Sequence, residues 1–285
     1  MDKRMPAFVL CLAALVLAAA SFLRLMQDRA AESMGLFAAT GVVLIAAVVV
    51  YLIYRTRNKR EGGGQNMEHK LYVMEGLDGS GKATQATLLT DYLTGKGIPC
   101  RKLSFPDYND PSSTLVKMYL HGEIGTLEEV NPYGASLFFT VDRYASYCRH
   151  WRPDYEAGKI LVADRYSTSN IPHQMSRLPK EEWDSFLDWL CDVEYNKAGL
   201  PRPTAVVYLD VDPEVSRRLL SERYHGDESK RDIHEADFAY LQHCRSAALY
   251  GAEKQGWQIL SCTERGEMLP REVIAEKIRL ALGLE

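Results

Sequence analysis

Leu71-Tyr-Val-Met-Glu-Gly-Leu-Asp-Gly-Ser-Gly-Lys-Ala-Thr-Gln-Ala-Thr-Leu-Leu89 is the stretch on which the reading of this chain turns. The run Leu71 to Glu75 reads as a short apolar strand. A turn follows, made of Gly76, Leu77, Asp78, Gly79, Ser80 and Gly81, and Lys82 opens a segment whose Leu88, Leu89, Tyr92 and Leu93 recur at helical spacing. Such a turn is a phosphate cradle. Its glycines let successive backbone N–H groups converge on anionic oxygens in conformations that side chains oppose. The helix behind it adds unpaired first-turn donors and the positive end of its dipole, and Lys82 can reach the β- and γ-phosphates. The spacing Gly76-x-x-x-x-Gly81-Lys82 matches the nucleotide-binding signature at every position but the last, where Ala83 stands for the expected Ser or Thr. Ala83 lacks the hydroxyl that ligates Mg2+, and Thr84 lies about 100° further round the helix. Residues 76 to 84 are therefore the expected triphosphate site.

Working outward, apolar runs and helical periodicities alternate. Cys100 to Phe105 reads as a second strand stopped by Pro106, Lys159 to Asp164 as a third ending in an acid, Ala205 to Val211 as a fourth and Trp257 to Cys262 as a fifth. Helical signals lie between them at Ser113 to Leu120, Tyr133 to His150, the Trp183, Phe186, Leu187, Leu190 stripe, Phe238 to Gly256, and Pro270 to Leu282 before Gly283. Asp212 and Pro213 supply an N-cap and first-turn residue for a helix running to Arg223. Alternating strands and helices predict an α/β fold, a five-stranded mostly parallel sheet flanked by helices, like that of P-loop NTPases, with ligands at the carboxyl ends of the strands.

The 285 residues are 46% hydrophobic, but unevenly so. Ala7 to Leu23 and Met34 to Tyr54 are apolar, and the second carries no charge and is long enough to cross a bilayer. Lys3 and Arg4 precede the first run, and Arg55, Arg57, Lys59 and Arg60 follow the second, which places both ends on the cytoplasmic side of a two-helix transmembrane hairpin. A signal peptide is the competing reading of the first run. Residues 1–66 are thus expected to form a membrane hairpin and linker, and 67–285 the nucleotide-binding domain, on the cytoplasmic face of the membrane. The linker Arg60-Glu-Gly-Gly-Gly-Gln-Asn-Met67 also has the composition of a translated purine-rich stretch ahead of a start codon. If Met67 is a start, the domain is simply cytoplasmic. Residues 1–66 hold eight Lys and Arg against four Asp and Glu, so the remainder holds 26 against 34, a net −8. That charge argues against binding a nucleic-acid polymer. The six cysteines form no C-x-x-C pair and suit a reducing compartment.

Four further islands fall at strand ends or on flanking helices: Phe105-Pro-Asp-Tyr108, Leu137-Phe-Phe-Thr-Val-Asp-Arg143, Asp164-Arg-Tyr-Ser-Thr-Ser-Asn-Ile-Pro-His-Gln174, and the charged Arg217 to Arg231. Together with Glu75 to Gln85, their order and spacing resemble thymidylate kinase, the family that passes a phosphoryl group from ATP to dTMP. The resemblance runs from about Glu68 to the C-terminus. It implies ATP and Mg2+ as cofactors and a homodimer. It implies that Asp78 binds the 3′-hydroxyl of the substrate sugar, that Phe139 stacks on thymine, and that Arg143, one helical turn on, donates to the base. Phe105 and Pro106 would border the substrate, and Gln174 would contact the pyrimidine. Asp164 would hold Mg2+ through water while Arg165 bridges the donor and acceptor phosphoryls. Gly79 and Ser80 occupy the loop positions where one form of the family carries an arginine, so Arg223, Lys230 or Arg231 of a mobile lid is expected to supply that charge. The arginine that usually follows Phe-Pro is absent, with Asp107 and Tyr108 in its place, and Arg101 and Lys117 are the candidates to replace it. The expected activity is dTMP kinase, and the alternatives are a kinase for another nucleotide or nucleoside and a membrane-anchored nucleotide-binding scaffold.

Overall fold

Five short strands with apolar residues on both faces build one parallel sheet in the computed structural model, which describes residues 70–223 and 238–284. They are β1 (Leu71–Glu75), β2 (Cys100–Ser104), β3 (Ile160–Asp164), β4 (Ala205–Asp210) and β5 (Gln258–Ser261), in the order β2-β3-β1-β4-β5. Side chains alternate faces along a strand. Accordingly Leu71, Val73, Leu161, Ala163, Val206 and Tyr208 pack into one core with Trp151, Phe186 and Ala247. Tyr72, Met74, Val162, Val207 and Leu209 pack into the other with Ala86, Leu89, Leu93, Ile274 and Ile278. The expected α/β sheet is present, and every pairing among its five strands is parallel.

Register positions the chemistry. Central β1 pairs with β3 through Met74↔Asp164 and with β4 through Glu75↔Tyr208, so the loops leaving β1 and β3 emerge side by side. The chain leaves β1 toward β2 on one side of the sheet and reaches β4 on the other. That reversal at β1 opens the crevice where such sheets bind ligands.

The helices are α1 (Lys82–Gly95), α2 (Thr114–Leu120), α3 (Pro132–Ser146), the short α4 (Asn170–His173), α5 (Trp183–Cys191), α6 (Pro213–Arg223), α7 (Phe238–Gln255) and α8 (Arg271–Ala281), with α3 continuing through a π turn into a last helical turn at Arg152–Glu156. The expected cap forms: Asp212 Oδ1 accepts from Glu214 N at 2.8 Å. α7 crosses α4 so closely that a Cβ on Gly251 would lie 2.5 Å from Ile171 Cγ2, and Tyr240 Oη donates to His173 O at 2.8 Å.

Several features go beyond the sequence reading. α5 runs on as a π turn (Asp192–Lys197) that turns Glu194 into the core. A two-stranded hairpin, Thr263–Glu264 with Glu267–Met268, follows β5 around Arg265 and Gly266, both at positive φ. The Phe105–Pro106 peptide is cis. The membrane hairpin expected over residues 7–54, the boundary at Met67, and Lys230 and Arg231 lie outside the described residues. Among the described residues no helix is long and apolar enough to cross a membrane.

Candidate active site

The turn after β1 takes its shape from its glycines. Gly79 and Gly81 have φ of 79° and 84°, the left-handed region that side chains disfavour. Gly76 has a different reason. A Cβ there would lie 2.5 Å from Ser80 Oγ and 2.8 Å from the Leu209 carbonyl, so the strand-to-turn bend needs its bare α-carbon against β4. Gly76 and Ser80 shape the loop from behind it. Ser216, a buried residue of α6, donates its hydroxyl to the Asp78 carbonyl and ties that helix to the turn.

A cleft of about 730 Å3 opens beside this turn, within the range of small-molecule sites. Asp78, Gly79, Gly81, Lys82, Ala83 and Thr84 form its phosphate-loop wall. Phe105 and Pro106 from the end of β2, Phe139 and Arg143 from α3, Asp164 and Arg165 from the end of β3, and Gln174 just after α4 line it as well. Residues spread over nearly a hundred positions of sequence thus meet in one cavity. Leu219 of α6 and Met268 of the hairpin also line it. Arg223 closes α6, and its side chain, like Lys230 and Arg231, lies outside the description.

The charged groups are tightly interlocked. Lys82 Nζ donates to Leu77 O at 2.8 Å and lies 3.8 Å from Asp78. Burial, reinforced by the Arg165 cation, pushes the Lys82 ammonium down to about 8 against the pull of Asp78, Asp164 and Glu75. Arg165 pairs directly with Asp78 through Nη2, and its Nη1 donates to His173 Nε2 at 3.2 Å. Burial alone would raise the Asp78 carboxyl, but Arg165, Lys82 and His173 outweigh it and hold the group well below the usual carboxylate range. Arg165 itself sits at φ 66°, uncommon for any residue but glycine. The Asp164 carboxylate, at the mouth of β3, makes no hydrogen bond or ion pair with another described residue.

Arg143 proves to be a core residue as well as a cleft residue. It is 2% exposed, its Nη2 pairs with the fully buried Glu194, and its Nε donates to the same carboxylate at 3.2 Å. Thr140 Oγ1 donates to Glu194 at 2.8 Å. The family resemblance implied a base-facing arginine but gave no sign of Glu194, whose place depends on the π turn. Phe139 is half-buried and meets Tyr119 edge-on at 6.1 Å between centroids.

Gln174 is 1% exposed, far from an exposed helix residue. Arg177 donates to its Oε1 at 2.7 Å, while its Nε2 and the Nδ2 of neighbouring Asn170 are buried without a hydrogen-bond partner. Buried amide donors left in this way suit a ligand carbonyl. Asn170 went unremarked in the sequence reading, although it lies within the same motif.

The two proposed substitutes for the missing Phe-Pro arginine are engaged elsewhere. Arg101 donates to the His150 carbonyl and to Asp154, both at 2.7 Å, and Lys117 donates to the Tyr108 carbonyl at 3.3 Å. Neither lines the cleft. Asp142 shapes the Phe-Pro loop instead: its buried carboxylate accepts from Asp107 N at 3.0 Å and from Ser112 Oγ at 2.6 Å.

Comparison with known proteins gives a consistent picture. A protein-family model described as thymidylate kinase matches residues 74–273. A thymidylate kinase of Caenorhabditis elegans is 30% identical over 155 residues, covering 51% of this chain and 65% of the relative. A probable thymidylate kinase of Pyrobaculum aerophilum is 27% identical over 209 residues, covering 73% and 94%. A thymidylate kinase of Mycobacterium tuberculosis is 29% identical over 195 residues, covering 66% and 87%.

Proposed function

The chain belongs to the thymidylate kinase family and is a phosphotransferase that converts dTMP to dTDP; we propose that ATP with Mg2+ is the donor and that the residues of the cleft divide the work as follows. The observation that carries this reading is the convergence in one cavity of the phosphate loop with Phe139, Arg143 and Gln174. Backbone N–H groups of residues 79–84 and the Lys82 ammonium hold the triphosphate. Phe139 stacks on the thymine, while Arg143 and the Gln174 amide donate to its polar edge, a role that Asn170 shares. Asp78 accepts from the 3′-hydroxyl.

Catalysis in this reading is positional and electrostatic. Lys82 and Arg165 both approach Asp78 Oδ1, and a phosphoryl group entering beside them competes with that carboxylate for both cations. Arg165 then spans donor and acceptor oxygens with its planar fork. A cation from Arg223, Lys230 or Arg231 completes the charge. The donor set suits Mg2+ held mainly by phosphate and water: one uncommitted carboxylate, Asp164, stands at the cleft, with the Thr84 hydroxyl near and none at Ala83. When bound, that ion neutralises charge building on the phosphoryl oxygens.

The same reading assigns a partner and a place. Leu137, Val141 and Tyr144 form an exposed apolar stripe along α3, at 43%, 50% and 48% exposure, and it is the face we assign to a second copy. Residues 7–54 tether the domain to the cytoplasmic face of a membrane. A coupled ADP-release assay on the full chain tests the activity, with ADP expected only when both ATP and dTMP are present. Nucleotide binding without ADP production would overturn it, and faster turnover of dUMP, dCMP or thymidine would reassign the substrate.

A further inference from the structure

β1 ends in a carboxylate for which neither the sequence nor the reading above supplies a task. Glu75 has no exposed surface, and the four strand residues before it are all apolar and buried. A carboxylate in such a place needs donors, and among the described residues all of its hydrogen-bond donors come from one short stretch of chain. Tyr166 N donates to Oε1 at 3.3 Å and Thr168 Oγ1 at 2.7 Å. Ser169 Oγ donates to Oε1 at 2.8 Å and to Oε2 at 3.0 Å. That stretch follows directly on Arg165, whose own N–H donates to the Met74 carbonyl one residue before Glu75. The end of β1 therefore grips the chain on both sides of the Arg165 α-carbon.

This grip has something to hold. Arg165 sits at φ 66°, a conformation that costs an arginine free energy and persists only where its surroundings fix it. Burial raises the Glu75 carboxyl above its ordinary range, and Arg165, Thr168, Ser169 and Lys82 pull it back. Thr168, 2% exposed, and Glu75 do not line the cleft, whereas Tyr166 and Ser169 do, so the bonds to Glu75 hold from within a turn whose other side forms the cleft wall.

We propose that Glu75 is a positioning residue: it locks the turn Tyr166–Ser169 from behind and so aims the Arg165 guanidinium at the phosphoryl groups. The inference rests on the role given to Arg165 above. It differs from a general core role in being specific to one side chain, and a double-mutant cycle isolates that difference.

The test is dTDP formation by the full chain and by Glu75→Leu, Glu75→Gln and Thr168→Val, each in the parent and in an Arg165→Ala background. Glu75→Leu is expected to lower kcat about 100-fold, the scale of a misaimed catalytic group, with KM for ATP within about twofold. Glu75→Gln, whose amide oxygen still accepts from the turn, is expected to stay within about threefold of the parent. Thr168→Val, which keeps shape and removes one donor, is expected to lose about fivefold and serves if Glu75→Leu does not fold. With Arg165→Ala already present, each further change is expected to cost less than about twofold, because the side chain being aimed is gone. Equal losses in both backgrounds, or an undiminished kcat in Glu75→Leu, would overturn the proposal. Activity of the unaltered chain reports separately on the kinase reading. If that chain made no dTDP, a crystal structure of Glu75→Leu or Thr168→Val would decide: Arg165 leaving its left-handed conformation supports the proposal, and an unmoved turn refutes it.

Discussion

The buried pair between Arg143 and Glu194 permits a worked prediction, because one of its members is asked to serve both the core and the substrate. Glu194→Met removes a fully buried carboxylate and leaves a guanidinium that is 2% exposed without its counterion. Breaking a buried ion pair from one side costs about 3–5 kcal/mol. For a domain of this size each kcal/mol lowers the melting temperature by about 2–4 °C, so a fall of roughly 6–20 °C is expected. The double variant Arg143→Met/Glu194→Met should recover most of that loss, since apolar replacement of a whole buried pair is often neutral or stabilising. Thr140 is not stranded by the change: its one hydroxyl proton can turn fully to the Ser136 carbonyl, 3.0 Å away. Substrate binding should not recover with stability. The double variant has lost the arginine that lines the cleft, and its KM for dTMP should stay about tenfold or more above the parent while KM for ATP holds, on the scale of one charged hydrogen bond. Thermal melts followed by initial-rate kinetics on all three variants are sufficient. A Glu194→Met protein that melts within 2 °C of the parent would refute the energetics, and a double variant with normal dTMP affinity would refute the base contact.

Further outcomes are expected at Phe139, Gly76 and Lys82. Phe139→Ala should raise KM for dTMP by roughly 5- to 100-fold, the worth of one aromatic stack, with little change for ATP; equal effects on the two substrates in steady-state kinetics would undo the stacking assignment. Gly76→Ala forces a Cβ against Ser80 and the Leu209 carbonyl at φ 151°, which should destabilise the domain by about 2–5 kcal/mol in chemical denaturation and distort the phosphate loop. Lys82→Ala should abolish turnover. Because the Lys82 ammonium titrates near 8 in the free enzyme, kcat/KM for ATP should fall as pH rises through that value. The sign for stability is opposite: the unfolded chain keeps this proton up to about 10.5, so burial of the charge is a penalty in full below pH 8 that is relieved between 8 and 10.5.

Much of this molecule was legible in its sequence because the signals are local. β1, β3 and β4 are short apolar runs, Pro106 stops β2, and the phosphate loop announces itself through glycines that the geometry requires at 76, 79 and 81. Asp164, Arg165, Phe139 and Gln174 were singled out by the resemblance of their motifs to the family, and the cleft gathers them. What escaped is non-local. Glu194 enters the core only because α5 loosens into a π turn, and no residue type marks such a turn. Arg101 was a reasonable spare cation until the fold brought Asp154, 53 positions away, within 2.7 Å of it. Arg165 in a left-handed conformation has no sequence signature either, since the cause lies on another strand. The lid residues and the N-terminal hairpin remain expectations of the sequence.

The close crossing of α7 over α4 has a mechanical consequence. With Gly251 pressed on Ile171 and Tyr240 bonded to the His173 carbonyl, these two helices have no slack between them. A tilt at the start of α7, where the chain returns from residues 224–237, cannot be absorbed there by sliding. It bears directly on His173 through Tyr240, two residues into that 18-residue rod, so the wall that meets the acceptor is geared to the end where the helix begins.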